Sequence, residues 1–65
     1  MLIIDKKKFD VACATVCLPA YKVLAAANVS MCVLPRIKQG KALRVATVGK
    51  IAKALQVEPQ AILAE

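Results

Sequence analysis

Breakers constrain this chain more than any other feature. Pro19, Asn28, Gly40 and Pro59 interrupt a sequence whose apolar residues otherwise recur at helical spacing, so only short helices are available. After Asp5, which suits an N-cap, Phe9, Ala12, Cys13, Val16 and Cys17 fall at i, i+3, i+4, i+7 and i+8 and predict an amphipathic helix ending near Leu18. Pro19 suits the first turn of a second helix, where its missing N–H costs nothing, and "AYKVLAAA" carries that helix to Asn28, a residue that tolerates left-handed backbone. Ser30 is the expected cap of a third helix, which Gly40 ends. "GKALRVA" has glycine and basic residues without a period and reads as a loop. Val48, Ile51, Ala52 and Leu55 then mark one face of a fourth helix over about 46–55. Glu58 ahead of Pro59 repeats the start signal for a fifth, with Ile62 and Leu63 facing inward. With no strand signal and no internal repeat, the expectation is all-α: a compact bundle of five short helices.

Sixty-five residues are expected to make a single domain spanning 1–65, at a length where only about 60% of the unfolded surface is buried. The chain is 60% hydrophobic but 3% aromatic, so its core has to be aliphatic. So short a chain cannot hide that many apolar side chains. The surplus predicts an exposed apolar patch, and with it a protein-binding or self-association surface.

The net charge of +6 is unevenly placed. Arg36, Lys38, Lys41, Arg44, Lys50 and Lys53 follow one another without an acid, a contiguous basic segment of the kind that faces phosphates. Three cysteines with no CxxC fit no disulfide framework and point to a reducing compartment. Cys13, Cys17 and Cys32 would need a fourth ligand to hold a metal, and histidine is absent. They read as small buried hydrophobes, with no metal site and no cofactor. Four scattered carboxylates and no histidine leave no acid/base pair or activated nucleophile, so no enzyme, no small-molecule substrate and no catalytic residue is expected. "MLII" is too short for a signal-peptide core and no apolar run approaches a membrane span, which predicts a cytoplasmic protein without a membrane partner.

Leu18, Val23, Ala27, Val29, Ser30, Leu34, Arg36, Ile37, Gly40 and Lys41, followed by "TVGKIAKALQVEPQAIL" at 47–63, involve nearly the whole chain in one pattern. That pattern resembles the Cro/C1-type (XRE) helix-turn-helix family of phage and bacterial repressors. The resemblance implies a lambda-repressor-like five-helix bundle with the motif at about 19–40, formed by helices at about 20–27 and 31–39. It also implies a DNA-binding transcriptional repressor, often a dimer on its operator, without enzyme activity. In that family the first turn of the recognition helix reads bases; here that means Met31, Cys32 and Val33, with Arg36 one turn later. Lys38, Lys41, Arg44 and Lys50 fall where the following loop tracks the DNA backbone. The DNA-contact set expected on this reading is Met31, Cys32, Arg36, Lys38, Lys41 and Arg44, with duplex DNA as partner.

The sequence departs from the pattern where polar contacts are usual: at Pro19, Ala20, Met31, Cys32 and Val33. Only Arg36 offers the bidentate hydrogen bonding that discriminates bases. A second reading follows from the same residues. Ala20, Tyr21, Met31, Cys32, Val33 and Pro35, joined by Leu24 if that residue is exposed and with Arg36, Lys22 and Lys38 at the rim, would make an apolar interface on a helix-turn-helix scaffold, natural or engineered, for a protein partner or a second copy in a homodimer. Pro35 constrains both readings. Capped at Ser30, the third helix would carry a proline inside it, at a cost of about 3 kcal/mol. It is therefore expected either to kink or to start late, leaving "SMCVL" as an apolar loop.

Overall fold

A computed structural model describes residues 1–64. Along the chain lie β1 (Leu2–Ile3), α1 (Lys6–Thr15), α2 (Ala20–Ala26), α3 (Val33–Lys38), β2 (Ala42–Leu43), α4 (Val45–Leu55) and a 3-10 turn at Pro59–Ala61. The chain is mostly helical, but its described residues form four α-helices where five are expected, and a strand pair where none is expected. The fifth helix is replaced by the 3-10 turn. Pro59 does occupy its first positions, yet Ile62 immediately turns inward and leaves no length for an α-helical ladder.

α1 starts as its sequence predicts: the Asp5 carboxylate accepts from the Lys8 N–H at 3.1 Å. Phe9, Ala12 and Cys13 are buried, but the helix stops at Thr15, three residues short of the expected end. Cys17 adopts φ 59 and is exposed, so it leaves the stripe it was assigned to. The N–H groups of Cys17 and Leu18 reach back to the carbonyls of Ala14 and Cys13, both at 3.1 Å. That double closure is a Schellman ending. It recurs at Asn28, Gly40 and Gln56, each with positive φ and each followed by a residue bonding back into the last turn. Pro19 stands just before α2 rather than inside it, and its carbonyl accepts from Lys22 and Val23 at 3.0 and 3.1 Å.

The expected loop at 40–46 contains β2, which pairs antiparallel with β1 in the register Leu2↔Leu43 and Ile3↔Ala42. On its other side the N-terminal segment meets the chain end. Ile4 bridges to Leu63, the Asp5 N–H donates to the Ile62 carbonyl at 2.8 Å, and the Ala64 N–H donates to the Ile3 carbonyl at 2.8 Å. "MLII" is thus a strap between the α3–α4 connection and the C-terminal segment. Ile4 is one of its anchors in a core that also holds Phe9, Val23, Leu24, Ile37, Leu43, Ile51, Leu55 and Ile62. α4 buries Val48, Ile51, Ala52 and Leu55, the four residues of its predicted face. Among the described residues no polar side chain is buried, and no single helix is long and apolar enough to cross a membrane.

Candidate nucleic-acid interface

α3 begins at Val33, not at Met31, and Pro35 explains why. The Met31 carbonyl, which an N–H at position 35 would have bonded, instead accepts from Leu34 at 3.1 Å, and the Ser30 carbonyl accepts from Val33 at 3.1 Å. The first turn is therefore wound tightly, and Pro35 lies among the first N–H positions of α3, which have no partner inside the helix. Ser30 does not cap the helix as expected. Its hydroxyl accepts from the Cys32 N–H, two residues on, at 3.2 Å, and orders the turn instead. Met31 and Cys32, expected in the first turn of a reading helix, sit in that preceding turn.

The turn, the start of α3 and the start of α4 enclose an open groove of about 490 Å³. Asn28, Val29 and Ser30 come from the α2–α3 connection, and Cys32, Val33 and Arg36 from the start of α3 and the residue ahead of it. Leu43, Arg44, Thr47 and Lys50 form the opposite wall. Arg44, Thr47 and Lys50 are three residues apart from one to the next, so they run down one side of α4, and Arg44 immediately precedes its first turn without a side-chain cap. Among the described residues, the Lys6–Asp10 pair on α1 accounts for the one ion pair, at 3.3 Å; Arg36, Arg44 and Lys50 face no carboxylate. Lys50 and Lys53 also border a shallower hollow of about 230 Å³ against Ala26, Ala27 and Ala54, which continues the basic surface along α4.

Of the residues expected at a DNA surface, Cys32, Arg36 and Arg44 share the groove. Met31, Lys38 and Lys41 are exposed but lie outside its wall. Asn28, Ser30 and Thr47 line the groove and were missed by sequence reasoning; the three-residue spacing of Arg44, Thr47 and Lys50 was the signal that could have found Thr47. Of the expected apolar interface, Tyr21 (56% exposed), Met31 (45% exposed) and Pro35 are accessible, Ala20 and Val33 pack partly against the core, and Leu24 is fully buried. Leu24 therefore belongs to no surface.

The cysteines are free. Cys13 is buried, whereas Cys17 and Cys32 are exposed, so the expectation of three buried thiols holds for Cys13 alone. Burial pushes the Cys13 thiol above its ordinary range, and the Asp10 carboxylate adds to the shift. Among the described residues no cluster of ligand side chains is placed to hold a metal ion. No protein-family model matches the chain, and neither a curated protein nor a solved structure matches it.

Proposed function

We propose that this chain is a Cro/C1-type helix-turn-helix module, lambda-repressor-like in its packing, that binds duplex DNA without catalysis and acts as a transcriptional regulator in the cytoplasm. The observation that carries the reading is the meeting of Arg36, Arg44 and Lys50 on one surface with no carboxylate against them among the described residues, while Lys38 and Lys41 are exposed. Phosphate oxygens are the natural counter-charge for such a surface. Base discrimination falls to Arg36, because Met31 and Cys32 precede the helix and have no bidentate hydrogen bonding to offer. Binding is therefore dominated by the backbone, which positions a protein without specifying a sequence.

Fluorescence anisotropy with a random-sequence duplex tests this directly. With about four phosphates neutralised, affinity should fall about a hundredfold between 50 and 200 mM salt. Absence of binding at low ionic strength, or binding indifferent to salt, overturns the reading.

A second reading, an interface for a protein partner or a second copy of the chain, is favoured by the exposure of Tyr21 and Met31. It requires association that resists salt and is lost on Tyr21→Ala or Met31→Asp, read by size-exclusion chromatography. Unchanged elution of both variants beside a self-associating wild type would dispose of that surface.

A further inference from the structure

We propose that the groove between α3 and α4 is a binding site for a small phosphate ester with a flat apolar body, by chemistry a mononucleotide, overlapping the proposed duplex contact at its cationic rim. Two kinds of lining make the case. The rim is cationic: Arg36 on one side, Arg44 and Lys50 on the other, with no carboxylate to neutralise them among the described residues. The remainder is mixed: Asn28, Ser30 and Thr47 are polar, while half-buried Val29 and Val33, with Leu43 (3% exposed) behind them, supply an apolar part. A duplex presents phosphates outward and stacks its bases away from solvent, so it can use the rim but has no ring face to lay on Val29 and Val33. An inorganic anion likewise uses the rim alone. A nucleotide satisfies both, with its phosphate between the two arginines and its base against the valines. The volume of about 490 Å³ is of small-ligand size. Thr47, on the wall of Arg44 and Lys50, and Asn28 and Ser30, from the α2–α3 connection, add neutral polar groups of the sort that fix orientation in a ligand site. Because Arg36 and Arg44 belong to both surfaces, an occupied groove opposes duplex binding and so gives the module a ligand-dependent release.

Isothermal titration calorimetry on the full chain at constant ionic strength decides the matter, with adenosine 5′-monophosphate, adenosine and inorganic phosphate as probes. The monophosphate is expected to bind at least about tenfold more tightly than either fragment. Arg44→Ala and Lys50→Ala should each weaken it about tenfold, the loss usual for one charge-assisted contact. Lys7→Ala, which removes the same charge from the exposed side of α1, should leave it unchanged. Alkylation adds an independent reading: the monophosphate should slow labelling of Cys32, which lines the groove, and spare Cys17, which does not. Equal affinity for inorganic phosphate, equal weakening by Lys7→Ala, or unprotected Cys32 overturns the proposal. Only the ligand-dependent release rests on the duplex reading; the nucleotide site does not: duplex binding without nucleotide binding defeats this proposal alone, and nucleotide binding without duplex binding defeats the duplex reading and the release but not the site.

Discussion

Gly49 is the residue whose identity is least explained by its surroundings. It lies in the middle of α4 with ordinary helical backbone, exposed, and a Cβ placed on it would meet nothing within 4 Å. Glycine in a helix interior costs about 0.8–1 kcal/mol relative to alanine, chiefly through the freedom of its unfolded chain. Gly49→Ala should therefore raise the stability by about that amount, or roughly 4–8 °C in Tm for a domain of this size, measured by thermal unfolding. An unchanged or lowered Tm would mean that α4 meets something at Gly49 in solution. Gly40 is the opposite case: φ +70 closes α3 in left-handed backbone, a conformation the sequence signalled and glycine adopts without strain. Asn28 was equally legible. Cys17 and Gln56 adopt the same backbone without any residue-type signal, because there the closing hydrogen bonds dictate the conformation. Local preference was the weaker force at both.

At the scale of elements, legibility followed the length of the apolar stripe. α4, with four buried residues spaced three and four apart, was readable almost to its ends, and α1 was readable from its cap through Cys13. β1 and β2 are two residues each, too short to show any alternation, and only their pairing in space makes them strands. α3 was legible as two alternatives, and the structure takes the late start. That choice has a measurable consequence. A proline in a helix interior costs about 3 kcal/mol, and replacing one would stabilise by a similar amount, whereas a proline in the first turn costs almost nothing. Because Leu34 already occupies the Met31 carbonyl, Pro35→Ala should leave Tm within a few degrees of the parent. A rise beyond about 12 °C, the equivalent of 3 kcal/mol at the lower end of the scaling, would place Pro35 inside the helix and return Met31 and Cys32 to its first turn. The candidate site was legible in the same partial way. Its charges were visible as an acid-free run, but their division into a groove (Arg36, Arg44, Lys50) and a flank (Lys38, Lys41) depends on where α3 begins, which Pro35 controls.

For the molecule as a whole, the strap formed by residues 2–4 ties the groove to the core. β1 pairs with β2, whose Leu43 forms part of the groove wall and whose neighbour Arg44 carries one of its charges. Ile4, directly after β1, is 1% exposed and bridges to the chain end. A chain of this length has a total stability of only about 3–10 kcal/mol at the usual 0.05–0.15 kcal/mol per residue. Truncating a fully buried isoleucine to alanine costs about 2–5 kcal/mol, so Ile4→Ala should remove a large share of that and lower Tm by at least about 8 °C and by as much as about 40 °C. Val11, 60% exposed on α1, provides the contrast: the loss of a surface valine should change stability by no more than about 0.5 kcal/mol. At a temperature where Ile4→Ala remains folded by circular dichroism, its duplex affinity should also fall more than that of Val11→Ala, because a loosened β1 no longer fixes β2 and Arg44 against α3. Equal Tm values for the two variants would show that the strap is not part of the core. Unequal Tm values with identical duplex affinity would show that the groove is held by the helices alone, so that the strap contributes stability but not the position of Arg44.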